Sequence, residues 1–169
     1  AAMPVSHRPM RQAGRQLRST TQLHSVVEAC QTVRIACMDE EGPFIVPMSF
    51  GYDWADPEEI DADAPRLALW VHSAGVGRKV DAFNREPRVA IEMDVQDGLI
   101  TGTYACAYSY AYRSITIHRI QGIEAKRYGL TRIMQHLAPE ASTDFTDQAL
   151  ARANIYCIDV DRFTGKQRA

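Results

Sequence analysis

The chain has 169 residues, 46% of them hydrophobic and 24% charged, with a formal net charge of −2. That is the size of one domain with a sizeable core, and so little charge argues against a polyanionic partner. No apolar run approaches the roughly 20 residues of a membrane span. The N-terminal arginines are followed by no apolar segment of the secretory type. The four cysteines, Cys30, Cys37, Cys106 and Cys157, have neither C-x-x-C spacing nor a paired histidine pattern. Neither a zinc site nor a disulfide framework is expected, and reduced, mostly buried thiols in a cytoplasmic protein are.

Residues 1–20 hold Arg8, Arg11, Arg15 and Arg18 and no acid. They read as an arm lying over its own domain or a partner subunit, in preference to a nucleic-acid contact. Residues 21–169 read as a single domain. Thr20 or Thr21 caps a helix reaching about Gln31, with Leu23, Val26, Val27 and Cys30 on one side. Val33, Ile35 and Cys37 alternate as a strand. The turn Glu40-Glu41-Gly42-Pro43 then leads into a return strand over 44–52, forming a hairpin. Phe44, Val46, Met48, Phe50 and Tyr52 share one face of it, and Ile45, Pro47, Ser49 and Gly51 the other. Pro47 cannot donate to a ladder, so it belongs at an edge or a gap. The small outer residues suit either an ordinary edge strand or a flat ligand lying against the backbone.

Residues 53–65 are acidic and polar, a surface loop. Leu67, Leu69 and Val71 alternate with Ala68, Trp70 and His72 as a strand. Gly75 and Gly77 mark a turn. A short helix over 77–84 follows, with Val80 and Phe83 on its apolar face, and Pro87 stops it. Val89, Ile91 and Met93 begin another strand. Residues 97–111 read as a long connection carrying Tyr104, Tyr108 and Tyr110. Their even spacing equally suits one face of an extended segment packed on the sheet. Residues 113–126 read as a long strand whose apolar phase breaks between Ile117 and Ile120, the sign of a bulge or bend. A helix over 129–138, ended by Pro139, a short helical turn over 146–153 and a last strand over 154–161 complete the chain.

The adjacent cations Arg78 and Lys79 open the short helix, where positive charge is unfavourable by about 0.3–1 kcal/mol each. Glycines, a helix start and two cations suit a phosphate-sized anion. A solvated basic turn is the alternative, with even weight. His72 ends a strand beside this turn. A histidine titrates near pH 6.5, so it suits proton transfer as well as a purely structural hydrogen bond.

The run HSAGVGRKVDAFNREPRV (72–89) resembles the signature of the flavin-binding split β-barrels, the superfamily of pyridoxamine 5′-phosphate oxidase. Within it the chain is most similar to the nitroimidazole-resistance (Nim) proteins. GPFIVPMSFGYD (42–53), YRSITIHRIQGIEAK (112–126), DRFTGK (161–166) and MRQAGRQL (10–17) extend the likeness in the right order. The resemblance implies a mainly β (α+β) fold, a six-stranded split β-barrel with short peripheral helices. It also implies a homodimer with FMN bound in clefts between subunits. By this resemblance Val46, Pro47, Met48 and Ser49 lie along the flavin ring. Arg78 and Lys79 pair with the phosphate. His72 and Ser73 stand where the oxidases have a tyrosine and a threonine. Arg113 and Ser114 reach the flavin of the facing subunit. The implied activity is reduction of a small aromatic acceptor such as a 5-nitroimidazole, with His72 as the catalytic candidate. A flavin or haem carrier or sensor, or a deazaflavin-dependent reductase, are the alternatives. The chain ends in RFTGKQRA, without the Trp and Arg pattern by which the oxidases bind substrate, which speaks against pyridoxamine phosphate oxidation.

Overall fold

Eight antiparallel strands form one sheet, in a computed structural model that describes residues 9–55, 67–97, 103–109, 115–160 and 163–168. The strands are β1 (Thr32–Asp39), β2 (Gly42–Trp54), β3 (Leu67–Ser73), β4 (Ala90–Asp97), β5 (Thr103–Ser109), β6 (Ile115–Arg119), β7 (Asn154–Val160) and β8 (Thr164–Arg168). Their order is β6-β7-β3-β2-β1-β4-β5-β8. The sheet curls until β6 meets the segment that leads into β4. There Arg88 bridges Thr116, Val89 N–H donates to Ile115 O at 3.2 Å, and Ile117 N–H donates to Pro87 O at 2.9 Å. Six strands, β1, β2, β3, β7, β6 and β4, therefore close a ring, and β5 and β8 continue outward from β4. These six correspond to the six strands expected from alternation.

The alternation is what drives closure. Val33, Ile35, Phe50, Leu67, Leu69, Val71, Met93, Ile115, Ile158 and Val160 are all fully buried and form one cluster. Full burial of each such side chain contributes about 1.5–3 kcal/mol. Helix α1 (Thr20–Ala29) adds Val26 and Val27 to this core. Its cap is Ser19 rather than Thr20 or Thr21; the Ser19 hydroxyl accepts the Gln22 N–H at 3.1 Å. Helix α2 (Arg78–Arg85) buries Val80 and Phe83, as its spacing predicts, and Ala82 as well. On the arm, Gln16 bridges Lys166 and the Leu17 N–H donates to Gly165 O at 2.8 Å, so this stretch lies along β8.

Three expectations are corrected. The connection over 97–111 contains β5, so the extended alternative for the tyrosine-rich stretch holds at 103–109; Tyr110 and Tyr112 lie outside the described residues. The strand over 113–126 stops at Arg119. Gly122, at φ 89°, turns the chain out of the sheet into helix α3 (Ile123–Leu137), which begins six residues before the expected helix at 129. The phase break after Ile117 thus marks the end of the strand and not a bulge within it. Third, Asp53 and Trp54 belong to β2 and not to a loop; residues 56–65 of that acidic stretch lie outside the described residues. Helix α4 (Asp147–Arg152) is capped by Thr146, whose hydroxyl accepts the Ala149 N–H at 3.1 Å.

Helix α3 crosses the outer face of β2, β3 and β7. A Cβ on Gly51 would meet the Arg132 backbone at 2.3 Å, and one on Gly129 would meet the Trp70 ring at 2.6 Å. Those two glycines let helix and sheet approach to backbone contact. Asp53 fixes the docking. Its carboxylate accepts from Trp70 Nε1 at 2.9 Å and from the Tyr128 hydroxyl at 2.8 Å, and pairs with Arg132 Nε at 2.8 Å.

Candidate functional site

Strand β2 is longer than either neighbour. β1 pairs with Gly42–Ser49, whereas β3 pairs only with Phe50–Trp54. Among the described residues nothing pairs with the β3-facing edge of 43–49. Pro47 falls within this stretch, which explains how a proline sits mid-strand. The open edge presents main-chain donors and acceptors to whatever lies alongside it.

The other side of the gap is built by the end of β3, the 74–77 turn and the start of α2. Continuing the Phe50–Val71 register by one step sets His72 beside Ser49. At the far end Arg78 lies over the Phe44 ring, 4.1 Å from its centre. Thus 44–49, His72 and Arg78 border one crevice. Alternation assigns their faces. Pro47, Ser49 and His72 are exposed on the outer side, Met48 is buried and Val46 half-buried on the inner side. Val46 and Met48 can offer an outside ligand only their main chain.

Ser73 turns inward and is 4% exposed, and its hydroxyl has no hydrogen-bond partner among the described residues. An orphan buried hydroxyl costs roughly 1–3 kcal/mol. Nearby, α2 begins without a side-chain cap. Its cap residue is Gly77, at φ 135°, a backbone conformation that favours glycine. The first helical bond is Asp81 N–H to Gly77 O at 3.1 Å, and the preceding N–H groups have no partner among the described residues. Lys79 is half-buried and makes no ion pair with a described residue. Free helix N–H groups and an unpaired ammonium are a donor set for an anion; the Ser73 hydroxyl lies on the inner side.

Arg78 is differently placed. Its Nε donates to Asp39 Oδ2 at 2.6 Å and its Nη2 to Asp39 Oδ1 at 2.9 Å, with Glu41 at 3.5 Å. The guanidinium holds the Asp39 carboxyl below the usual carboxylate range. Arg85 pairs with Glu40 on the same turn. The β1–β2 turn is therefore strapped to α2 by two arginines. Arg113 and Ser114 lie outside the described residues.

On the outer face next to this crevice, Arg34 pairs with Pro47 in register and holds two carboxylates, Glu92 at 2.9 Å and Asp94 at 2.5 Å. Burial, with the Asp94 charge adding to it, pushes the Glu92 carboxyl up. Exposed Ile45 (66%) and Met38 (52%) lie on the same face.

The sequence of the chain over residues 19–167 matches the profile of the pyridoxamine 5'-phosphate oxidase family. The chain belongs to that family. No match was found among curated proteins. Among solved structures, a candidate 5-nitroimidazole antibiotic resistance protein from Bacteroides thetaiotaomicron has a TM-score of 0.67 at 22% identity, over 90% of this chain and 86% of that one. An FAD-binding protein from Mesorhizobium loti has a TM-score of 0.62 at 15% identity, over 92% and 98%. The flavocytochrome Anf3 from Azotobacter vinelandii has a TM-score of 0.69 at 12% identity, over 95% and 72%. At these identities the likeness is one of fold, and it agrees with the split barrel of the family.

One cluster in this oxidase-family chain escapes sequence reading. His24 stacks on Trp54 with ring centres 4.9 Å apart, and its Nε2 lies 3.1 Å from the Tyr52 hydroxyl. His136 packs edge-on to Tyr52 at 5.1 Å and bonds Cys30 O at 2.6 Å. A cavity of about 300 Å³, lined by Glu28, Tyr52, Arg132, Gln135 and His136, opens beside them. Only the aromatic run on β2 hinted at it; the histidines come from α1 and α3. Among the described residues no His, Cys, Asp or Glu group is arranged to hold a metal ion, and no helix is long and apolar enough to cross a membrane. Buried Cys30 and Cys37 are held as thiols, each pushed up to about 11, chiefly by burial.

Proposed function

We propose that the protein is an FMN-binding oxidoreductase that reduces small aromatic acceptors of the 5-nitroimidazole type. The observation that carries this reading is the open edge of β2 facing an anion-binding donor set across one crevice. A flavin has the matching shape, a flat ring with a polar rim joined to a terminal phosphate. The residues fit it. The main chain of Val46, Pro47, Met48 and Ser49 would meet the rim. Lys79 and the free N–H groups of α2 would hold the phosphate. Bound flavin supplies the redox chemistry; the protein supplies position, charge and exclusion of water.

His72, exposed at the ring end of the crevice, is the residue placed to exchange a proton with an acceptor stacked on the ring. The outer face with Ile45 and Met38 would meet a second copy, making a homodimer in which Arg113 and Ser114 serve the facing subunit's flavin. This is a cytoplasmic enzyme without nucleic-acid or membrane partners in our reading.

The test begins with an absorbance spectrum of the purified protein and mass identification of whatever is released on heating. Yellow protein releasing FMN is expected. Colourless protein that takes up no flavin on reconstitution would end the proposal. Lys79→Ala is expected to weaken FMN about tenfold or more while leaving riboflavin affinity unchanged, read by quenching of flavin fluorescence. Bound flavin without turnover of any nitroaromatic would favour a carrier, and preference for a deazaflavin would change the cofactor but not the crevice.

A further inference from the structure

The Asp39 carboxylate already occupies the Arg78 guanidinium, at 2.6 and 2.9 Å through both oxygens. Its side chain is only 14% exposed, and it also accepts the Glu41 N–H at 3.0 Å. It is a fixed acceptor on a turn that Arg85 and Glu40 hold down from the other side. The Arg78 side chain, by contrast, is 46% exposed and lies across Phe44, at the phosphate end of the crevice. A cavity of about 120 Å³, lined by Asp39, Glu40, Arg78, Asp81, Ala82 and Arg85, lies beside the guanidinium.

From this geometry we infer that Asp39 is an internal competitor for the phosphate, a built-in carboxylate that Arg78 must leave before it can grip the cofactor. The inference rests on the flavin reading above and adds to it the residue that sets affinity. The competition has a definite sense. A carboxylate carries one negative charge, whereas a phosphomonoester carries about −1.5 to −2 at neutral pH and three acceptor oxygens. Arg78 therefore transfers to a terminal phosphomonoester. A ligand without phosphate leaves the Asp39–Arg78 pair closed. Asp39 thus lowers affinity for the phosphorylated cofactor without changing that for a ligand lacking phosphate, and it keeps Arg78 from recruiting stray anions when none is bound. Lys79 has no such competitor among the described residues and remains the standing contact.

The experiment compares FMN and riboflavin affinities, by fluorescence quenching, in the unaltered chain, Asp39→Asn, Arg78→Ala and the double variant. Asp39→Asn is expected to tighten FMN about fivefold, the size of one exposed ion pair, with riboflavin unchanged. Arg78→Ala is expected to weaken FMN and to erase the gain from Asp39→Asn. Unchanged FMN affinity in Asp39→Asn would overturn the inference while leaving the flavin site standing. So would an equal gain in the Arg78→Ala background, because Asp39 would then act only through its long-range field. Failure of the unaltered chain to bind either flavin would overturn the parent reading and this one together. Melting curves check that each variant is folded; Asp39→Ser, which still accepts the Glu41 N–H, serves if the asparagine variant melts early.

Discussion

Gly51→Ala is expected to lower the melting temperature by roughly 6–12 °C, the equivalent of about 3 kcal/mol or more in a chain of this size. Gly51 lies where β2 passes under α3. An added methyl would sit 2.3 Å from the Arg132 carbonyl carbon and 2.4 Å from the Ile133 nitrogen. These are backbone atoms inside a helix, so no rotamer change relieves the clash. The helix must lift, and Arg132 must give up its bonds to the Tyr52 carbonyl at 2.6 and 3.1 Å. Gly14 is the matched control, because a methyl added there would meet nothing within 4 Å. Gly14→Ala is expected to leave the melting temperature within about a degree or two. Equal melting of both variants would mean that α3 is not pressed against the sheet.

Asp53→Ala is expected to cost about 2–3 kcal/mol, after allowance for a side chain one-third exposed. The loss leaves Trp70 Nε1, the Tyr128 hydroxyl and Arg132 Nε without their shared acceptor. Urea unfolding measures the cost. Tryptophan emission tests the cause, since water reaching the Trp70 indole shifts it to longer wavelength. A variant of unchanged stability and emission would show that these three bonds are replaced by water at no net loss. Asp53→Asn retains one acceptor and is expected to fall between the two.

Much of the barrel is legible in the sequence, because most of its strands bury one face only; β7, covered on the outside by α3, buries both. Leu67, Leu69 and Val71, then Val89, Ile91 and Met93, alternate with more polar residues, and all six face the core. Pro47 announces a gap beside β2 for the simple reason that it has no N–H to give. The signal fades where periodicity is overridden. α3 contains Gly129, a poor helix former, because Trp70 leaves no room for a side chain. That glycine breaks the pattern and hides the first two turns of the helix. β5 is read as a connection because its alanines, cysteine and tyrosines carry little contrast between faces. β8 is five residues long and largely polar, too short to register as a strand.

At the site the chemistry of single residues is readable and their partners are not. The basic pair at 78–79 stands out by its place at a helix start. That Arg78 faces Asp39 while Lys79 faces no described acid depends on folding a hairpin turn against a helix 39 positions away. The inward turn of Ser73 follows from strand parity, yet its missing partner is a fact of three dimensions. His24 and His136 look ordinary in sequence because α1 and α3 bring them to Tyr52 from opposite ends of the chain.

The contact between Gln16 and Lys166 joins the two extremities of the described chain. During synthesis the arm emerges before β8, so Leu17 has nowhere to dock until Gly165 has been made. Such late, long-distance pairing makes for slow folding, with nascent strands exposed to neighbouring polypeptides in the meantime. A ribosome-bound fragment ending before residue 164 would leave the outer row of amides on β5 without the β8 strand that covers it.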